Sequence, residues 1–286
     1  MRKLRAIGLV VFLLFVASAN AQTTVQKVSK QNTKKYASTI ERFKLTGEKA
    51  NIKISGWEND YIEITTTFIS RNSDKTKAIQ EINFIQSEEQ LSEHSLIIRN
   101  YFDGNSRNIT GNLSVEYQIY LPATIQVNLS NLYGKVKLEN LNNPVQLSVS
   151  FGAIEIDHYN GQLEIKNNYS NLSGQFIDGI LHCNSEKSDI VLQHLGAKTS
   201  IEAKYGNISL QPNKQLKSLQ LNCSRSSVTI QQTKQTTNYQ LKTINSSISL
   251  PERGTIGDNQ YQSEPKANAP NYTVNTSYCP IIISYE

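Results

Sequence analysis

Glu139 and Asp157 are the two side chains whose type and spacing best suit acid–base chemistry. They stand 18 residues apart, with Glu155 beside Asp157. Hydrolysis of a glycosidic bond needs two carboxyls about 5 to 10 Å apart, one ionised and one able to hold a proton. Residues one repeat apart would meet that spacing if the chain stacks its strands, which lie about 4.8 Å from one another. The sequence around the pair, however, offers no basic partner, aromatic platform or long inserted loop. The pair therefore reads as two solvated carboxylates, and no catalytic residue is assigned.

Metal and thiol chemistry find no better support. His94, His158, His182 and His194 are scattered, and neither H-x-x-x-H nor C-x-x-C occurs. His158 and His194 share a repeat position but fall two units apart, about 10 Å by strand spacing. One zinc ion holds its nitrogen ligands at about 2 Å. No metal and no cofactor is expected. Cys183, Cys223 and Cys279 are odd in number and too few for a disulfide framework. Cys183 and Cys223 also fall two units apart, beyond the roughly 7 Å a disulfide spans between Cα atoms.

The aromatic residues are more informative. Tyr133, Phe151 and Tyr169 follow one another at steps of 18, and Tyr205 falls in the same column. The column also holds Lys187, Arg225, Asn245 and Tyr278. Strand alternation would turn it inward, yet burying Lys or Arg without partners is costly. The column must then lie at an exposed corner. Two readings stay open: a ladder of rings that caps the corner, or a binding surface for glycan or protein built on Tyr133, Phe151, Tyr169 and Tyr205.

What positions this column is a tandem repeat. Units start at Gln126, Pro144, Gln162, Ile180, Lys198, Ser218 and Asn238, four steps of 18 residues and then two of 20. Position 4 reads Leu129, Leu147, Ile165, Cys183, Ile201, Leu221, Leu241; position 11 reads Val136, Ile154, Leu172, Ile190, Ile208, Val228, Ile248. With positions 2 and 13 these give two short period-2 patterns per unit, the mark of two strands. Position 9 is Gly, Ser or Cys, which suits a tight corner where Gly takes positive φ. Position 14 runs Glu139, Asp157, Gln175, Gln193, Gln211, Gln231, an amide ladder along the stack. A unit of this kind buries its apolar side only by stacking on copies of itself. Tyr272, Val274, Ile281 and Ile283 repeat the pattern as an eighth coil, and Phe43, Leu45, Ile52 and Ile54 fit an early one.

The chain resembles the bacterial putative-adhesin family of exported β-solenoids over about 42–286. The residues that carry the resemblance are Phe43-Lys-Leu45, Ile52-Lys-Ile54, Asn59 to Ile64 and Tyr120-Leu-Pro-Ala123. After these come Tyr133 to Leu138, Phe151 to Ile156 and Tyr205 to Leu210. The resemblance implies a single-stranded β-helix with an adhesive role and carries over no catalytic residues.

The expected fold is therefore all-β: a β-solenoid of 18–20-residue coils over 126–286, with a loop inserted at 251–270. An irregular β-rich cap over 42–125 precedes it. The cap includes one short helix near 74–83, with Ala78, Ile79 and Ile82 on one face. Residues 22–41, polar and rich in Lys, Thr and Gln, read as a flexible tether. Residues 1–21 read as a secretory signal peptide: Arg2, Lys3 and Arg5, an apolar run from Ala6, then Ala19-Asn-Ala21. No transmembrane segment is expected. Three of the 29 basic residues leave with the signal, against 24 acidic ones, so the remaining charge is +2. Nothing clusters to neutralise phosphates, and nucleic acid is not an expected partner. The functional expectation is a non-enzymatic binding protein, periplasmic, cell-surface or secreted, whose partner is a surface glycan or envelope protein. A β-helix carbohydrate-active enzyme and a structural or envelope-sensing protein are the alternatives.

Overall fold

The computed structural model describes residues 24–37, 39–103, 109–257 and 259–286. The expected signal peptide lies outside them. No helix among them is long and apolar enough to cross a membrane.

Each regular unit is two strands joined by a corner. Each strand pairs in parallel with its equivalent in a neighbouring unit. Val127 lies beside Val145, Leu129 beside Leu147, Val136 beside Ile154 and Leu138 beside Ile156. The register continues through Ile165–Cys183 and Cys183–Ile201. The pairing offset is the sequence period itself. A slip of one residue would turn the whole apolar set outward, so the alternation pins the register. Inward residues of both strands meet in one core that runs from Tyr36 to Ile283. The fold is an all-β solenoid, as expected.

The two ends are less regular and resemble each other. At the N-terminal end, β1 is Gln26–Tyr36, β2 Arg42–Glu48, β3 Ala50–Gly56, β4 Ile62–Asn72, β5 Ile85–Leu91, β6 Ser95–Phe102 and β7 Asn112–Leu121. The coil made by β2 and β3 stacks on the first regular unit. Its other side is covered by an outer layer of β6 and β7. Antiparallel strands close that layer: β5 on β6, β4 on β7, and β1 on β4. Within the segment 22–41, expected to be a flexible tether, Gln26–Tyr36 forms β1 and pairs with β4 along the whole strand. Its polar residues hid this, because an outermost strand solvates both faces and needs no alternation. Exposed Lys27, Lys30, Lys34 and Lys35 suit an edge that must not recruit further strands.

Helix α1, Lys75–Glu81, is capped by Asp74, whose carboxylate accepts from the N–H groups of Thr76 and Lys77. Its buried side carries Ala78 and Glu81, with Ile82 in the turn that follows. Ile79, expected on that face, is exposed. Position 79 is rotated about 100° from Ala78, and the short helix turns it to solvent.

At the C-terminal end the expected eighth coil is present but out of sequence order. Its strands, Asn271–Ser277 and Ile281–Tyr285, lie between the sixth and seventh units. Val274 pairs with Leu221 on one side and Leu241 on the other. Ile281 pairs with Val228 and with Ile248. The segment 251–270, expected as a loop between units, folds back on the seventh. Gly254–Ile256 and Gln260–Gln262 lie antiparallel to its two strands. At each end, then, antiparallel strands cover the open edge of a parallel stack.

Candidate functional site

The column that breaks inside–outside alternation has a backbone cause. Tyr133, Phe151, Tyr169, Lys187, Tyr205, Arg225, Asn245 and Tyr278 all have φ between 50° and 61°. Each is a single left-handed residue that turns the chain from one strand into the next. The turn throws its side chain outward, which is why Lys and Arg are accepted there. Left-handed backbone costs a non-glycine residue about 1–2 kcal/mol. The corner regains part of this through hydrogen bonds between layers. Lys187 N–H donates to the Lys204 carbonyl at 2.7 Å, and Arg225 N–H to Ser277 at 2.9 Å.

Position 9, expected to take the positive φ, does so only at Gly134 among these corners. Its small side chains answer another need. A Cβ on Gly152 would lie 2.0 Å from the Gly134 carbonyl oxygen, and one on Gly206 2.0 Å from that of Ser188. Where Ser occupies the position, its hydroxyl links layers. Ser188 Oγ accepts from the Ser170 N–H at 2.8 Å and donates to the Glu186 carbonyl at 2.9 Å.

The four residues singled out as a binding surface share this edge. Tyr133 and Phe151 stack at 5.4 Å, and Phe151 and Tyr169 at 5.1 Å. Lys187 Nζ lies 4.6 Å over the Tyr169 ring and donates to its hydroxyl. Tyr169 holds the Lys187 pKa above its ordinary value. Tyr205 stands apart from the first three rings and pairs with Arg225, whose Nη1 donates to its hydroxyl at 2.6 Å. Exposures of 43–47% for the four aromatics leave ring edges and hydroxyls to solvent, while stacking covers faces. The column thus has the geometry of both earlier readings, a corner ladder and an exposed edge of rings and cations.

Glu139 and Asp157 do lie side by side in adjacent units. Contrary to expectation, Glu139 has basic partners: Lys53 Nζ at 2.7 Å and Lys137 Nζ at 2.5 Å. Lys137 and Lys53 hold its carboxyl below the usual range, which favours the ionised form. Asp157 is bonded to His158 Nδ1 at 2.8 Å and accepts from Gln175 Nε2 at 3.0 Å. The amide ladder is present in part, with Gln211 donating to Gln231 at 3.2 Å. Cys183, Cys223 and Cys279 are free and buried, and burial pushes the Cys183 and Cys223 thiols up to about 12.

A second left-handed column escaped the sequence reading. Asn140, His158, Phe176 and His194 occupy position 15 with φ of 49–54°. Phe176 stacks between the two imidazoles at 4.6 Å from each. In the sequence the two histidines and Phe176 follow one another at steps of 18 residues. Beside this column lies Trp57, stacked on Tyr120 at 5.2 Å.

No family model matches the chain, and no curated protein does. Among solved structures, the chain is similar to a putative adhesin from Bacteroides fragilis (13% identity, 90% of this chain and 97% of that one, TM-score 0.43). It is also similar to a putative adhesin from Parabacteroides merdae (9% identity, 90% and 96%, TM-score 0.39). A third is a putative cell adhesion protein from Clostridium sporogenes (11% identity, 91% and 100%, TM-score 0.30).

Proposed function

We propose that the chain is a non-enzymatic exported binding protein, adhesin-like in role, that holds a surface glycan or envelope protein along its left-handed corner. The observation that carries this is the exposed edge of Tyr133, Phe151, Tyr169 and Tyr205, with Lys187 and Arg225 set between and beside the rings. A solenoid fixes those groups in a straight row on a rigid scaffold. Such a row lowers the ordering cost of contact with an extended partner. Tyr and Arg are also the side chains that most often dominate contact energies.

The test compares the unaltered chain with a Tyr133→Ala/Phe151→Ala/Tyr169→Ala variant in cell-binding and glycan-array assays. The expected result is loss of binding with the β-rich circular dichroism spectrum retained. Equal binding by both would remove the edge from consideration. Turnover of a polysaccharide by the unaltered chain would replace this reading with an enzymatic one.

A further inference from the structure

The corner opposite the aromatic edge carries an open cleft of about 390 Å³. It is lined by Trp57, Glu58, Asn140, Asn142, His158 and Asn160. That volume falls in the range of about 300–1,000 Å³ typical of small-ligand sites. Nothing in the role proposed for the aromatic edge uses these residues.

The groups divide into fixed and uncommitted ones. Trp57 is fixed: its ring stacks on Tyr120, meets the Tyr61 ring edge-on at 4.7 Å, and its Nε1 donates to the Tyr61 carbonyl at 2.9 Å. His158 is fixed by Phe176 on its face and by Asp157 at Nδ1, which leaves Nε2 for another partner. Asn140 is held by its left-handed backbone. Among the described residues, the side chains of Asn140, Asn142, Asn160 and Glu58 have no hydrogen-bond partner and are exposed. Their neighbour Asn143 differs, because its Nδ2 donates to the Pro122 and Ile125 carbonyls at 2.8 and 2.7 Å and is buried. Asn142 and Asn160 occupy the same position of successive units, so they stand about one strand spacing, 4.8 Å, apart.

We propose that this cavity binds a neutral sugar residue of a glycan chain. A primary amide both donates and accepts, as a sugar hydroxyl does, so the row of amides matches neighbouring hydroxyls without requiring a charge. An indole held in place gives the apolar C–H side of a pyranose a rigid surface at little ordering cost. The carboxylates of Glu58 and Asp178 in the lining make it a poor site for an anion. The cavity's short reach does not suit an extended peptide. The site is separate from the aromatic edge and does not depend on it.

Trp57 is the chain's single tryptophan, so its emission reports on this cavity alone. The experiment titrates the purified chain with methyl glycosides of glucose, galactose, mannose and N-acetylglucosamine, and with short oligomers of each. The expected result is a saturable change in Trp57 emission for at least one of them. Asn142→Ala/Asn160→Ala, a surface variant whose unfolding midpoint should match that of the unaltered chain, should weaken it at least about tenfold. Absence of any saturable response across the panel would overturn the proposal, as would undiminished affinity in the double variant. A silent Trp57 alongside intact binding at the aromatic edge would remove this site and leave the proposed function standing. The converse result would do the opposite.

Discussion

The backbone N–H of Ser226 donates to the Sγ of Cys279 at 2.9 Å, across 53 residues of sequence. Ser170 N–H makes the same bond to Ser188 one regular unit away. Cys279 therefore does in the last coil what serine does elsewhere, and the last coil occupies the layer that the seventh unit would otherwise fill. Cys279→Ser should leave stability nearly unchanged. Cys279→Ala should cost about 1 kcal/mol, because it removes the acceptor for a half-buried N–H. Urea unfolding followed by circular dichroism separates the two.

Deleting 271–286 should have a far larger effect. Val274 and Ile281 are buried between paired layers on both sides, and Ile283 is buried beside Ile230; each loses roughly 1.5–3 kcal/mol of burial. The sixth and seventh units would also be left with facing unpaired edges. Limited proteolysis should cut the truncated chain first within 233–262, and a synthetic peptide of residues 271–286 should restore protection. Unchanged proteolysis of the truncated chain would contradict the inserted arrangement.

The left-handed corner predicts an unusual preference. Lys187 has φ 53° and touches solvent on its outer side. Lys187→Gly relieves the backbone by about 1–2 kcal/mol and gives up a cation–ring contact of about 0.5–1 kcal/mol. It should be neutral or slightly stabilising. Lys187→Val loses the contact and keeps the strain, so the two variants should differ by about 2 kcal/mol in chemical denaturation.

Two glycines should respond in different ways. Gly152→Ala sets a Cβ 2.0 Å from a neighbouring backbone oxygen, which forces apart two layers that their ladders hold; a cost of about 1–3 kcal/mol is expected. Gly254 has φ +64° and open space around it, so Gly254→Ala should cost only about 1 kcal/mol, from backbone strain. Melting curves of both variants check the order.

Glu81 should shape the acid limb of stability. It is buried and accepts from Thr110 N–H at 2.8 Å, Asn72 Nδ2 at 2.9 Å, Thr110 Oγ1 at 3.2 Å and Gly111 N–H at 3.3 Å. Burial pushes its pKa up, but these bonds outweigh that effect and leave it below the ordinary value. A depressed folded value means the stabilisation is full above the unfolded carboxylate pKa and is lost as pH falls through the folded one. Glu81→Gln should therefore destabilise the chain at neutral pH by roughly 2–3 kcal/mol and flatten its loss of stability on acidification. Urea midpoints across the acid range are the measurement.

The sequence by itself determined the layers. Positions 2, 4, 11 and 13 repeat as apolar residues. Period-2 alternation on a stacked sheet has one inward register, so the pairing of Leu129 with Leu147 followed from spacing alone. It also placed Tyr133, Phe151 and Tyr169 in one row and, through Lys187 and Arg225 in the same column, pointed to a corner. The tertiary structure alone decided the order of layers at the ends. A repeat pattern says that a coil stacks but not on which copy, because every layer offers the same edge; Val274 fits Leu221 and Leu241 equally well. The structure alone also showed that β1 is a strand and that Trp57 faces the second corner. Both depend on contacts between segments far apart in sequence, which no local period records. What Tyr133, Phe151, Tyr169 and Tyr205 owe to the sequence is their row; what they owe to the fold is the left-handed backbone that turns them outward.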